Sequence, residues 1–272
     1  MVARVTILLA LGSAAFAQDA REIVKKSVEL DQADWARMKD YTWIARETIR
    51  DMDSNGSVKS EKTDEWETVV LYGEPHRRML QRDGKALSAD DQRKEQVKLD
   101  KTVAKLERES PEQRARREAE YEKQREKDRE FLRDVPDIFD FALLGDEKID
   151  GHDVWVISAT PKPGVHPKHS DAKPLLKVRA KMWIDKAEYQ WVRLEAETTA
   201  TISFGLFIAR LNPGAKLVFE QARVNDEVWL PKRETVSGAG RVGLVKKIAA
   251  EQEVTWNNYR KFQVDSKVVA VQ

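Results

Sequence analysis

Alternating apolar and polar residues in the middle of the chain predict a β-hairpin over residues 177–199. Apolar residues stand at every second position of both arms, the period of a strand with one buried face: Val178, Ala180, Met182 and Ile184, then Val192, Leu194 and Ala196. The polar residues 185–188 between the arms predict a four-residue loop. We therefore expect this hairpin to form the middle of a larger sheet.

Strand-like segments on both sides of the hairpin predict an antiparallel sheet through most of the chain. Aromatic and β-branched residues, separated by turn clusters, mark strands near 41–49, 58–72, 76–81, 154–157, 217–224, 228–236 and 241–256. Seven of the eight tryptophans fall on proposed strands, where they either pack on a curved sheet or line a cavity. The apolar segment 201–211 is either a buried strand or an exposed apolar rim.

Two regions carry the 3.6-residue period of helices. The first is 18–38, and the second is a long charged region, 88–134, in which Ser88 and Ser110 match capping boxes and predict two helices that meet at Ser110. Acidic and basic residues three apart, such as Glu126 and Arg129, favour a self-supporting, solvated helix. The alternative is a lid or an arm that docks a protein partner.

The N-terminal residues 1–17 have the features of a secretory signal peptide: a basic start, an apolar run too short to span a bilayer, and a small-x-small site at 15–17. We expect an exported protein of one domain, 18–272, that is not an integral membrane protein. The chain has no cysteine, so its stability depends on packing. Its net charge of +1 argues against nucleic-acid binding.

No motif in the sequence predicts catalysis. The stretch 238–243 matches GxGxxG by letters, but strand-like residues follow it, so a flexible hairpin loop is expected instead of a cofactor site. His166, His169 and Asp171 lie on a loop where their side chains need not converge on a metal. We therefore expect a non-enzymatic protein without a metal or cofactor, and a hydrolase ranks below the binding functions considered next.

Several segments resemble the bacterial outer-membrane lipoprotein-sorting superfamily of periplasmic carriers. The segments that carry the resemblance are 181–186 (KMWIDK), 189–195, 218–224, 228–231 (VWLP) and 256–262 (WNNYRKF). The resemblance implies an α+β fold, in which a half-open curved antiparallel β-barrel packs over helices. It does not cover the charged helical region 88–134, which departs from the family's pattern and is expected to be an insertion. It also implies a periplasmic protein, or one at the periphery of the outer membrane.

The function that the resemblance implies is binding of a lipophilic ligand or acylated polypeptide in an apolar groove, with a role in lipoprotein sorting. The residues expected to line this groove are Met182, Ile184, Val192, Leu194, Phe204, Leu206, Phe207 and Phe219. The alternative function is an envelope scaffold or stress sensor that engages a protein partner through the charged helices.

Overall fold

The computed structural model describes residues 11–53, 55–204, 209–242 and 246–261. Its helices are α1 (Leu11–Arg37), α2 (Ala89–Glu107), α3 (Pro111–Glu130) and α4 (Val135–Ile138), with short 3₁₀ turns at Met38–Asp40, Phe131–Asp134 and Ser170–Lys177. Helix α1 begins inside the segment predicted as a signal peptide. None of the helices in these ranges is long and apolar enough to cross a membrane.

Thirteen strands within the described residues form one antiparallel sheet. They are β1 (Tyr41–Met52), β2 (Val58–Leu71), β3 (Glu74–Arg82), β4 (Lys85–Ala86), β5 (Phe139–Ile149), β6 (His152–Pro161), β7 (Val178–Asp185), β8 (Trp191–Thr198), β9 (Ile202–Phe204), β10 (Ala209–Leu211), β11 (Lys216–Val224), β12 (Val228–Val242) and β13 (Lys246–Lys261). The order is β4-β3-β2-β1-β13-β12-β11-β8-β7-β6-β5, so the sheet is open. The α+β class is confirmed, while the half-barrel and the insertion stay predictions.

The central hairpin is confirmed as β7 and β8, but its loop differs from the prediction. The loop covers residues 186–190. Asp185 Oδ1 stabilises its first turn by accepting hydrogen bonds from the backbone N–H groups of Ala187 at 2.9 Å and Glu188 at 2.6 Å. Tyr189 then takes a positive φ of 57°. The register shifts at the start of β8, where Ile184 pairs with Trp191 and Trp183 with Arg193. A β-bulge therefore leaves Val192 unpaired.

The main core lies between α1 and one face of strands β5 to β8. Helix α1 contributes Ala20, Val24 and Val28, four residues apart on one face, and the sheet contributes buried residues that include Ile157, Met182 and Ile184. A smaller cluster contains Trp183 and Trp229, and all seven tryptophans predicted on strands lie on strands. Their burial in these clusters favours packing as the role of Trp183, Trp191 and Trp229.

Helices α2 and α3 meet at Ser110, as predicted. Ser88 Oγ accepts a hydrogen bond from Asp91 N at 3.2 Å, and Ser110 forms a complete capping box with Gln113. The inward face of α3 is basic: Arg114, Arg117, Arg125 and Arg129 are all half-buried or buried, and Tyr121 lies among them. The predicted pair of Glu126 and Arg129 is wrong, because Arg129 bonds Asp31 of α1 and Glu126 bonds Arg133.

Two predicted segments near the C-terminal half differ from the structure. Residues 201–211 are not one strand, since β9 and β10 within them pair with each other. The GxGxxG letters do not form a loop up to Val242, because Gly238 and Gly240 lie in β12. A Cβ on Gly240 would stand 2.2 Å from the backbone oxygen of Arg210, so glycine here permits the close approach of β10 to β12.

We expect Gly240→Ala to lower the free energy of unfolding by about 1 to 3 kcal/mol, because β10 must move away from β12 to admit the methyl group. Chemical denaturation measures this effect. The control is Ala239→Ser, which changes the exposed neighbouring residue. Equal stability of Gly240→Ala and the unaltered chain would contradict the close contact.

Candidate functional site

One row of side chains crosses the sheet on a single face. Residues directly opposite in antiparallel strands share a face, so the pairing registers place these nine together: Leu143, Ile157, Met182, Leu194, Phe219, Glu234, Val254, Glu47 and Asp64. Three of the predicted groove residues, Met182, Leu194 and Phe219, are neighbours in this row. The row therefore places these predicted groove residues on the same face as residues from strands that are distant in the sequence.

Helix α1 covers only part of this face. Met182 and Ile184 are 3% and 0% exposed beneath it, whereas Leu194 and Phe219 are half-buried. Five half-buried apolar residues surround Glu234 on the part of the face next to the helix-covered core, and we call these six residues the open strip: Leu194, Leu217, Phe219, Glu234, Val236 and Val254. The open strip is continuous with the apolar core, but its side chains are only half-buried.

The face of the open strip continues along β12 and β13 to a cavity. Beyond Val236, the positions on this face are small, Gly238 opposite Ala250, and then Gly240 opposite Ile248. Gly240 and Ile248 line a cavity of about 690 Å³, together with residues of β1 and β10. Ile248 is 39% exposed. The face of the open strip thus leads toward the cavity, and Ala215 and the backbone of Arg210 pack close to Gly238 and Gly240 between them.

Glu234 is the acidic residue at the centre of the open strip. It pairs across the sheet with Phe219 on one side and Val254 on the other. The Glu234 side chain forms no hydrogen bond or ion pair with any residue that the structure describes. Burial raises the pKa of the Glu234 carboxyl above its ordinary value, with no charged neighbour contributing. The carboxylate is therefore partly dehydrated and uncompensated.

The C-terminal half of α1 fixes its position through buried carboxylates. Asp34 accepts a hydrogen bond from the backbone N–H of Trp229 at 2.9 Å, and Asp31 accepts one from Gln221 Nε2 at 3.3 Å and another from Arg129. Burial raises the pKa of Asp31 and of Asp34, against the opposing effect of these partners. These bonds hold the helix that forms one border of the open strip.

The remaining predicted groove residues lie elsewhere. Val192 packs with Trp183 and Trp229 on the opposite face, because of the β-bulge, so the predicted alternation is wrong at this position. Phe204 belongs to the short strand β9, while Leu206 and Phe207 lie outside the described residues. The groove-lining role of all eight residues stays a prediction. Glu234, Val236 and Val254 were missed, since only the pairing register brings them to this face.

A second cavity, of about 440 Å³, lies between α1 and α3. The side chains of Arg125 and Arg129 stack over the ring of Trp35, with guanidinium carbons 5.4 and 4.7 Å from its centroid. Arg125 also donates a hydrogen bond to the carbonyl oxygen of Trp35. The side chains of these two arginines hold α3 to α1, so this cavity is a gap in the interface between the two helices.

One histidine of the predicted loop, His169, has structural contacts. His169 donates its backbone N–H to Asp134 Oδ2 at 2.8 Å, and its Nδ1 lies 2.9 Å from Asp134 Oδ1. These bonds attach the loop to the turn after α3. In the part of the chain that the structure describes, no three His, Asp or Glu side chains are placed to hold a metal ion.

Three solved structures are similar to this chain. A DUF1329 family protein from Desulfovibrio piger is 14% identical, with TM-score 0.33, and the match covers 93% of this chain and 95% of that one. A putative outer membrane lipoprotein-sorting protein domain from Vibrio parahaemolyticus is 14% identical, with TM-score 0.33 and coverage of 90% and 95%. A LolA superfamily protein from Nitrosomonas europaea is 11% identical, with TM-score 0.29 and coverage of 90% and 94%.

Structures named for the superfamily that the sequence resembles are thus among those similar to this chain, at identities and TM-scores that assign the chain to no family. No family model and no curated protein matches the chain. Identities of 11% to 14% transfer no residue role from these structures to this chain.

We expect Glu234→Gln to raise the melting temperature at about pH 7.5 and to change it little at about pH 4. The pKa of Glu234 is higher in the folded state than its ordinary value, so ionisation of this carboxyl lowers the free energy of unfolding. The stability contributed by the protonated carboxyl is fully present below the ordinary pKa, and it is lost as the pH rises through the raised pKa. Glutamine does not ionise and avoids this loss. Thermal melts at both pH values measure the effect.

The matched control is Glu107→Gln on the exposed surface of α2, which should leave the melting temperature nearly unchanged at both pH values. A Glu234→Gln effect of the same size at both pH values would contradict an uncompensated carboxylate.

Proposed function

We propose that this chain is a non-enzymatic, exported protein of the periplasm that binds the acyl chain of a lipid or of a lipidated polypeptide. The observation that carries the proposal is the open strip, in which half-buried apolar side chains lie next to a fully packed core. The part of this apolar surface that remains in contact with water is unfavourable, and a ligand that covers it would remove that contact. Export rests on the predicted signal peptide, 1–17, which precedes a single domain, 18–272.

The arrangement of the open strip suits an extended apolar chain. Its row of residues crosses adjacent strands about 4.8 Å apart, so Phe219, Leu194 and Met182 offer a continuous apolar track about 10 Å long. One end of the track reaches Met182 under α1, and the other end lies beside Glu234 of β12. An acyl chain on this track would replace water at half-buried apolar side chains.

We expect the mature protein to bind a fluorescent fatty alcohol, which has no carboxylate to oppose Glu234. Leu217→Asp should weaken binding at least tenfold, roughly the cost of placing a charge beside an acyl chain. The matched control is Val218→Asp, whose side chain lies on the opposite face of the same strand and is also half-buried. Fluorescence titration and native mass spectrometry measure binding.

Absence of lipid uptake in both measurements would contradict the proposed function. Equal loss of binding in the variants Leu217→Asp and Val218→Asp would contradict the open strip as the binding surface. Circular dichroism of each variant checks that the sheet is retained.

A second candidate function is docking of an envelope protein through α2 and α3. The observation that favours it is the exposed outer surface of these helices, where Val97 of α2 is 49% exposed among charged residues. Charged surfaces of this kind set the specificity of an interface more than its affinity. The inward arginines of α3 are not available for docking, because they hold the helix to α1 and β3.

We expect a docking surface on α2 to depend on its exposed lysines. The double variant Lys101→Glu and Lys105→Glu should reduce co-purification of the partner from an envelope extract at least about fivefold, since like charges at an interface repel. Acyl-chain binding in the same variant should be unchanged. Unaltered co-purification would contradict docking through α2. Deletion of 89–133 is a poorer test, because it also removes the Arg129 contact with buried Asp31.

A further inference from the structure

We infer that the ligand is a lipid whose headgroup carries an ammonium group, and that Glu234 binds this group. The inference rests on the proposed function, because it names the ligand of the same open strip. It comes from the single unpaired acidic side chain that the pairing register places among the apolar residues Phe219, Val254 and Val236. A ligand that covers these three residues must also cover the carboxylate.

The other acidic residues of the same row have partners. Glu47 accepts a hydrogen bond from Gln252, and Asp64 accepts one from the backbone N–H of Asp83 at 3.0 Å and lies 3.3 Å from Lys62 Nζ. Within the described ranges, the Glu234 side chain has none of these compensating contacts. Covering an unpaired carboxylate with an uncharged acyl chain would cost free energy, whereas an ammonium group supplies both the opposite charge and hydrogen-bond donors.

The position of Glu234 matches an amphiphile with its charge at one end. An acyl chain that starts beside Glu234 can follow Phe219 and Leu194 to Met182, three strand spacings or about 14 Å away. Helix α1 closes the track there, since Met182 is buried beneath it. The headgroup therefore has a fixed charged contact at the open end, and the chain has an apolar contact toward the closed end.

The structure favours a lipid over a peptide that carries an amine. Strands β8, β11, β12 and β13 all have neighbours on both sides in the sheet order. Their backbone N–H and C=O groups are thus used in the sheet, and the open strip presents side chains without a free strand edge for an extended peptide. Apolar side chains around one carboxylate suit a lipid chain with a single cationic group.

The test compares lipids with the same acyl chain by displacement of the fluorescent fatty alcohol from the mature protein. The probes are monoacyl phosphatidylethanolamine, which carries the ammonium group, monoacyl phosphatidylglycerol, which keeps the phosphate without it, and uncharged monoacylglycerol. We expect the ethanolamine lipid to bind about tenfold more tightly than either of the other two lipids. This ratio corresponds to the free energy of one charge-assisted hydrogen bond. A lysine dipeptide with the same N-acyl chain is a fourth probe, and it stands for a lipidated polypeptide.

The variant Glu234→Gln should lose the preference for ethanolamine and bind monoacylglycerol more tightly than the unaltered protein, because no carboxylate is then covered, while Glu107→Gln should leave both affinities unchanged. Equal binding of the three lipids, or a preference that survives Glu234→Gln, would overturn the role of Glu234 and leave acyl-chain binding in place. Tighter binding of the acylated dipeptide than of the ethanolamine lipid would overturn the assignment to a lipid. Failure of the fatty alcohol itself to bind would instead overturn the proposed function.

Discussion

The packing of helix α1 across one face of the sheet determines where the molecule is closed and where it is open. The N-terminal part of its inward stripe is apolar, with Val24 and Val28 against β5 to β8, and its C-terminal part carries the buried carboxylates of Asp31 and Asp34. These carboxylates accept hydrogen bonds from β11 and β12. Because α1 is fixed at both parts, the sheet face beyond it remains the open strip.

Short-range patterns were sufficient to predict the helices, most strands and the central hairpin. Alternation of period two marks Met182 and Ile184, and Ser110 marks a helix start, because each signal depends on neighbouring residues. The pairing of distant strands has no such local signal. The bulge that sends Val192 to the opposite face and the register that places Glu234 beside Phe219 depend on contacts far apart in the sequence, so the candidate site could be predicted only in part.

The charged helices show a related limit of sequence patterns. Glutamate and arginine residues three apart on α3 suggested a solvated helix, yet Arg117 lies 2.5 Å from Glu74 of β3 and Arg129 contacts Asp31 of α1. Guanidinium groups stack on aromatic rings and bond carboxylates at the same time, which lets a helix of low hydrophobicity attach to the fold. A charge pattern alone does not distinguish an arginine that faces water from one that faces Trp35.

The location of the ligand on the open strip is the central claim, and the absence of native cysteine allows a direct test. Leu217→Cys and Val218→Cys place a single environment-sensitive fluorophore on the two faces of β11 in the mature protein. On addition of monoacyl phosphatidylethanolamine, we expect a saturable blue shift of the emission from position 217 and none from position 218. A shift at position 218 alone, or at neither position while native mass spectrometry shows bound lipid, would contradict the claim.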